Sequence, residues 1–136
     1  MVRASYLQIY NETISDLLRN EKQNLQIRED KRKGVFVEGL SEWAVRNPSE
    51  IYRLMKKGAL ARATAETKLN NVSSRSHAIF QVIIEQMSSQ EEKPKNAQEM
   101  KQIKVGKLNL VDLAGSERLR ITGATGQRLE ECKKIN

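Results

Sequence analysis

The chain has 136 residues, 38% hydrophobic and 30% charged, with a formal net charge of +7 and a pI of about 9.7. That length suits one domain of roughly 100–150 residues. No stretch approaches the roughly 18 apolar residues of a membrane helix, the N-terminal MVRASYLQIYNET lacks a signal-peptide pattern, and a single cysteine, Cys132, excludes an intramolecular disulfide framework. The expectation is a cytosolic chain without membrane insertion, whose basic surface suits an acidic partner. An aromatic content of 4% gives stacking on single-stranded nucleic acid little support, and no nucleic-acid recognition fold accompanies the charge.

Residues 3–10, RASYLQIY, alternate apolar and polar types and predict a strand. Ile14, Leu17 and Leu18 stand at helical spacing within residues 12–19, with Asn11 or Thr13 as N-cap, so a short helix is predicted there. LQIR (25–28) and VFV (35–37) predict two short strands around the charged turn EDKRKG, where Gly34 supplies the turn freedom. Asn47-Pro48-Ser49-Glu50 is a helix start: a capping residue, proline at the first helical position and an acid in the first turn. Ile51, Leu54 and Met55 then line one face, and Gly58 marks a candidate interruption or end. Residues 60–69 are alanine-rich and helix-friendly, followed by the loop chemistry of NNVSSRS. AIFQVII (78–84) predicts a strand buried on both faces. Residues 88–102 are polar, aperiodic and proline-bearing, as in a flexible surface loop. Residues 103–111 return as a strand ending at Asp112, residues 115–126 read as a glycine-bearing loop, and residues 127–136 begin an amphipathic helix.

Two strings carry the chemistry. Residues 108–118, LNLVDLAGSER, deliver Asp112 to the end of an apolar run, with Gly115 and Glu117 just beyond. Residues 70–77, NNVSSRSH, form a polar loop with serines around Arg75. Aspartate is disfavoured inside strands but suits a strand's carboxyl end, where α/β ligands bind. A carboxylate there can hold magnesium through water, and a nearby glycine lets a backbone N–H approach a phosphate. Serine hydroxyls suit a hard cation. Together the strings look like the two phosphate-sensing switches of a nucleoside triphosphatase.

In that order, N-x-x-S-S-R-S-H and D-L-A-G-S-E resemble switch I and switch II of the kinesin motor domain. SYLQIYNETISDLL (5–18), the helix-like 47–70, HAIFQVIIEQ (77–86) and TGATGQRLEECKKIN (122–136) fit the same family in register, so the resemblance spans almost the whole chain. SSRSH and DLAGSE fit a kinesin better than a myosin-like actin motor. The resemblance implies an α/β fold of the kinesin type, a mixed central sheet flanked by helices, as one partial motor domain over residues 1–136. It implies ATP and Mg²⁺ as cofactors, the microtubule (tubulin) as partner, and a place on the cytoskeleton.

The family also suggests roles for single residues. Asp112 anchors magnesium through water, with Ser74 as a further ligand; Asn70, Ser73 and Ser74 bind the nucleotide, with Asn70 and Ser76 also shaping the loop; and the Gly115 N–H meets the γ-phosphate. Arg75 and Glu117 form a salt bridge when switch I closes over ATP, fixing the attacking water. Such an arginine–carboxylate fork is directional and strong when desolvated. Ser76 completes the pattern, Arg62 is a candidate for the pocket rim, and Asn136 couples nucleotide state to the filament-binding helix. For the microtubule, Lys31, Arg32 and Lys33 on the charged turn are candidates, with Arg118, Arg120 and Arg128 around the loop after switch II. Glu130 and Glu131 weaken any simple positive stripe there. His77, the only histidine, is equally a structural hydrogen-bonding residue and a participant in catalysis.

The sequence holds no G-x-x-x-x-G-K-[ST]; its only Gly-Lys pair is Gly106-Lys107, inside a strand. The P-loop lysine and its backbone nest supply much of the affinity for a triphosphate. The expectation is therefore a central piece of a motor domain, inactive on its own, with sheet edges and apolar faces left uncovered and without cargo or dimerisation regions. The alternative is a non-catalytic kinesin-like module that binds microtubules or other partners.

Overall fold

The structure is a computed structural model that describes residues 1–31, 34–69, 75–88 and 102–115. Among these residues the chain forms seven strands and one long helix: β1 (Val2–Tyr10), β2 (Thr13–Asp16), β3 (Gln23–Asp30), β4 (Gly34–Glu38), β5 (Trp43–Val45), α1 (Pro48–Leu69), β6 (Ser76–Ser88) and β7 (Gln102–Asp112). The strands form one sheet in the order β4-β3-β2-β1-β6-β7, with β5 also paired to β1. Every described pairing is antiparallel.

β1 is the hub. Along one side it pairs with β6 over its full length, from Val2↔Ile84 to Tyr10↔Ser76. Along the other side its first half pairs with β5 and its second half with β2. Side chains alternate across a strand, so Ala4, Tyr6 and Gln8 share one face with their β6 neighbours Val82, Phe80 and Ala78. That face meets α1: Ala4, Val45, Phe80 and Val82 form a buried cluster against which Tyr6, Ile51, Leu54 and Met55 pack. Tyr6 and Phe80 meet edge to face at 5.3 Å, a favoured geometry for aromatic pairs.

The short helix predicted over 12–19 is replaced by β2. Asn11 and Glu12 both have positive φ, +49° and +62°, as a two-residue type I′ hairpin turn requires. That turn folds residues 13–16 back on β1, with Ile9↔Ile14 and Leu7↔Asp16 in register. Ile14 and Asp16 are buried while Thr13 is exposed, so strand alternation overrides the helical spacing. Asp16 then ends the strand. Its Oδ1 accepts the backbone N–H of Leu18 (2.8 Å) and Arg19 (3.1 Å), and its Oδ2 accepts that of Ser41 (2.9 Å). A buried carboxylate that satisfies three backbone donors is a structural staple, one that the sequence reading did not single out.

The other predicted elements within the described residues stand with shifted bounds, except that the strand expected to be buried on both faces has Ile79 and Gln81 half-buried and Ile84 exposed. The 25–28 and 35–37 strands lengthen into the β3–β4 hairpin, closed at Gly34 with φ +71°. α1 starts as predicted: Asn47 Oδ1 accepts the N–H of Glu50 (3.1 Å), and Glu50 reaches back to the N–H of Arg46 (2.8 Å), a reciprocal cap. Gly58 does not end the helix, which runs on to Leu69. The glycine is there for space: a Cβ at Gly58 would lie 2.2 Å from Tyr6 Cδ1 and 2.6 Å from Cε1.

β7 occupies the end of the sheet order. Ile103, Val105 and Val111 on one of its faces and Leu108 and Leu110 on the other are exposed. A strand with apolar side chains on both faces has the composition of a central strand. The loop expected at 88–102 lies, between Ser88 and Gln102, outside the described residues, as do the loop and helix expected after residue 115.

Gly58→Ala should destabilise the fold by about 1–3 kcal/mol through overpacking, although alanine favours a helix interior over glycine by about 1 kcal/mol. Chemical denaturation checks the sign. A variant at least as stable as the parent would show that α1 does not lean on the Tyr6 ring.

Candidate functional site

Two registers bring the chemistry-bearing residues together. Tyr10↔Ser76 aligns the end of β1 with the start of β6, and Ala78↔Asp112 aligns that start with the end of β7. The carboxyl ends of β1 and β7 therefore share one edge of the sheet, where ligands bind in α/β folds. The residues that follow the NNVSS string and those that open the DLAGSE string lie side by side there.

Arg62 of α1 joins them. Its Nη1 donates to Asp112 Oδ2 (2.6 Å), its Nη2 to the Ser76 carbonyl (2.9 Å) and its Nε to Ser76 Oγ (3.3 Å). The guanidinium is buried, with 10% of the Arg62 side chain exposed, whereas 70% of the Asp112 side chain is exposed. Asp112 is thus held through one oxygen while most of its carboxylate faces outward. Arg62, a candidate for the pocket rim from sequence, packs against the aspartate through this bond. Ser76, expected only to shape the loop, is fully buried and accepts from Arg62 twice. A planar guanidinium suits this task, because its donors lie in a fixed fork.

The turn after β7 is held from another direction. His77 Nδ1 accepts the backbone N–H of Ala114 at 3.1 Å. Gly115 follows at once and is half-buried. Arg75 immediately precedes β6 and is also half-buried. Lys31 is exposed at the tip of the β3–β4 hairpin, at the other end of the sheet order from Asp112. Asn70, Ser73, Ser74, Glu117, Arg32, Lys33, Arg118, Arg120, Arg128 and Asn136 lie outside the described residues. The structure thus brings together Arg62, Ser76, His77, Asp112 and Gly115.

Among the described residues no cluster of three or more His, Cys, Asp or Glu side chains could cage a metal. One outward-facing carboxylate at a strand end fits a different demand. Magnesium keeps several waters and is usually held by one or two carboxylates together with substrate phosphates. The donor set around Asp112 fits that ion and does not fit a structural zinc or calcium site.

The sequence model of the family described as Kinesin motor domain matches residues 1–136. The chain belongs to the kinesin motor domain family. It is 50% identical over 135 residues to a kinesin heavy chain of Neurospora crassa, which covers 99% of this chain and 14% of that relative. It is 48% identical over 136 residues to the kinesin-like protein KIN-7N of Arabidopsis thaliana, covering all of this chain and 16% of the relative. Among solved structures it matches a fast kinesin with a TM-score of 0.81 at 48% identity, covering 98% of this chain and 35% of that one. A KIF14 dimer in its two-heads-bound state, with AMP-PNP and in complex with a microtubule, matches with a TM-score of 0.78 at 37% identity over 99% of this chain and 38% of that one. The α/β fold of a kinesin motor domain is therefore shown, and this kinesin sequence spans a minor share of the length of each of these relatives.

Arg62→Lys should destabilise the fold nearly as much as Arg62→Ala, by about 2 kcal/mol. Lysine keeps the charge but cannot reach Ser76 Oγ, the Ser76 carbonyl and Asp112 together. Most of the loss comes from the two bonds to buried Ser76, because solvent screens the pairing with exposed Asp112. Thermal unfolding of the two variants checks this; full stability in Arg62→Lys would mean that charge alone suffices.

Proposed function

We propose that this chain supplies the γ-phosphate-sensing part of an ATP-driven microtubule motor, carrying switch I at residues 70–77 and switch II at 112–117. The observation that carries this reading is the cluster of Arg62, Ser76 and Asp112 at the carboxyl end of β7. It links the start of β6, just past one switch string, to the first residue of the other. The company of the relatives supports ATP as the nucleotide and tubulin as the partner: one structural neighbour holds AMP-PNP and a microtubule. Association with the cytoskeleton follows from the same reading.

In this mechanism Arg62 orients Asp112 through Oδ2, so that the rest of the carboxylate faces the nucleotide. Asp112 and Ser74 are the residues that would hold Mg²⁺, Asp112 through water. When bound, the ion would supply charge neutralisation to the triphosphate. Asn70, Ser73 and Ser74 line the nucleotide, and the Gly115 N–H, free of any Cβ, donates to a γ-phosphate oxygen. Arg75 and Glu117 meet when the two segments close, and their bridge orders the attacking water. Asn136 passes the change on to the filament-binding helix. Lys31, Arg32, Lys33, Arg118, Arg120 and Arg128 face acidic tubulin, where rim charges mainly steer association.

In a catalytically complete motor carrying this sequence, Glu117→Ala should leave ATP binding largely intact and lower kcat by roughly 100-fold or more. Adding Arg75→Ala should cost little beyond either single change, because both remove one bridge. Steady-state phosphate release together with nucleotide titration tests this, and additive losses would mean that the two residues act separately.

Replacing Arg118, Arg120 and Arg128 by alanine should raise the KM for microtubules while basal turnover changes much less. Salt screens such contacts, so cosedimentation should weaken more steeply with ionic strength for the parent than for the triple variant. Equal slopes would return the contact to Lys31, Arg32 and Lys33.

A further inference from the structure

Asp112 and the backbone just beyond it are held by different groups. The β6–β7 ladder ends at the pair Ala78↔Asp112. Two residues back along β6 the Ser76 carbonyl accepts from Arg62, and two residues past Asp112 the Ala114 N–H donates to His77 Nδ1. Strand alternation puts His77 with Ile79 and Gln81, on the face opposite Phe80 and Val82, which pack against α1. Arg62 thus grips the aspartate side chain from the helix side, and His77 grips the backbone two residues later from the other side.

We infer that His77 is a positioning residue, whose Nδ1 acts as an acceptor latch that sets the peptide planes from Leu113 to Gly115 and so aims the Gly115 N–H. Ala114 lies off the strand ladder, and its N–H is half-buried, where a lost partner is costly. The hydrogen bond requires a lone pair on Nδ1, which places the ring proton on Nε2. The latch also ties the first turn of switch II to the strand that switch I leads into, so a shift of residues 75–77 is passed directly to the Gly115 backbone. Its consequence for turnover rests on the nucleotide reading above; the latch itself does not.

The discriminating variants are His77→Asn, whose Oδ1 takes the place of Nδ1 as an acceptor, and His77→Gln and His77→Ala, which do not present an acceptor there. They are compared in a catalytically complete motor carrying this sequence. Residue-resolved hydrogen exchange should show the Ala114 amide exchanging at least tenfold faster in the Gln and Ala variants and at the parent rate in Asn. ATP turnover should fall roughly 10–100-fold in Gln and Ala, with KM for ATP changing far less, and recover in Asn. Unchanged Ala114 exchange in His77→Ala, or an Asn variant that behaves like Ala in exchange, would overturn the latch. Exchange that follows the acceptor while turnover stays level across all variants would overturn the aiming of Gly115. Exchange that follows the acceptor in a protein with no ATP turnover at all upholds the latch and sinks the nucleotide reading instead.

Discussion

The buried guanidinium of Arg62 is the contact on which the arrangement of the site depends. An arginine inside a protein is costly unless its donors are used, and here three are committed at once, to a serine hydroxyl, a backbone carbonyl and a carboxylate. Those partners belong to two different strands, so the helix, the start of β6 and the end of β7 are positioned relative to one another by a single planar group. Burial of Arg62 against exposure of Asp112 also divides the work: the arginine is structural, and the aspartate remains open to a ligand.

The helix can deliver Arg62 only because it lies close on the sheet. Gly58, one turn earlier, removes the Cβ that would collide with Tyr6, and Tyr6 is itself braced edge to face by Phe80. β1 carries Tyr6 and pairs with β2, β5 and β6, so helix packing and strand pairing converge on the same residue. Further along, the Asp16 staple closes the β1–β2 hairpin into the turn that follows it. Arg3, which bridges Glu42 and Glu85, ties the opposite end of β1 to its neighbours. One strand thus sets the register that the chemistry needs at its carboxyl end.

β7 lies outside this economy of burial. Among the described residues it holds to the sheet through β6 and shows apolar side chains on both faces. Among the described residues, the segment that bears Asp112 is held by the ladder to β6, by Arg62 and by His77.

The sequence by itself determined the family, the capped start of α1, and the strand that ends at Asp112. These rest on local chemistry: a capping asparagine before proline, an apolar run broken by an aspartate, and turn residues in the right places. It singled out Arg62, though not its bonds to Ser76 and Asp112. Only tertiary structure decided that residues 13–16 form a strand, because the turn at Asn11-Glu12 paired them with β1 and pairing outweighed helical spacing. Only tertiary structure decided that Gly58 is a spacing residue, since its reason is a tyrosine ring fifty-two positions away in sequence. The partners of Arg62, Asp16 and His77 were likewise beyond the reach of the sequence. A local pattern states what a side chain can donate or accept, but which group stands within three ångströms is set by the register of strands far apart along the chain.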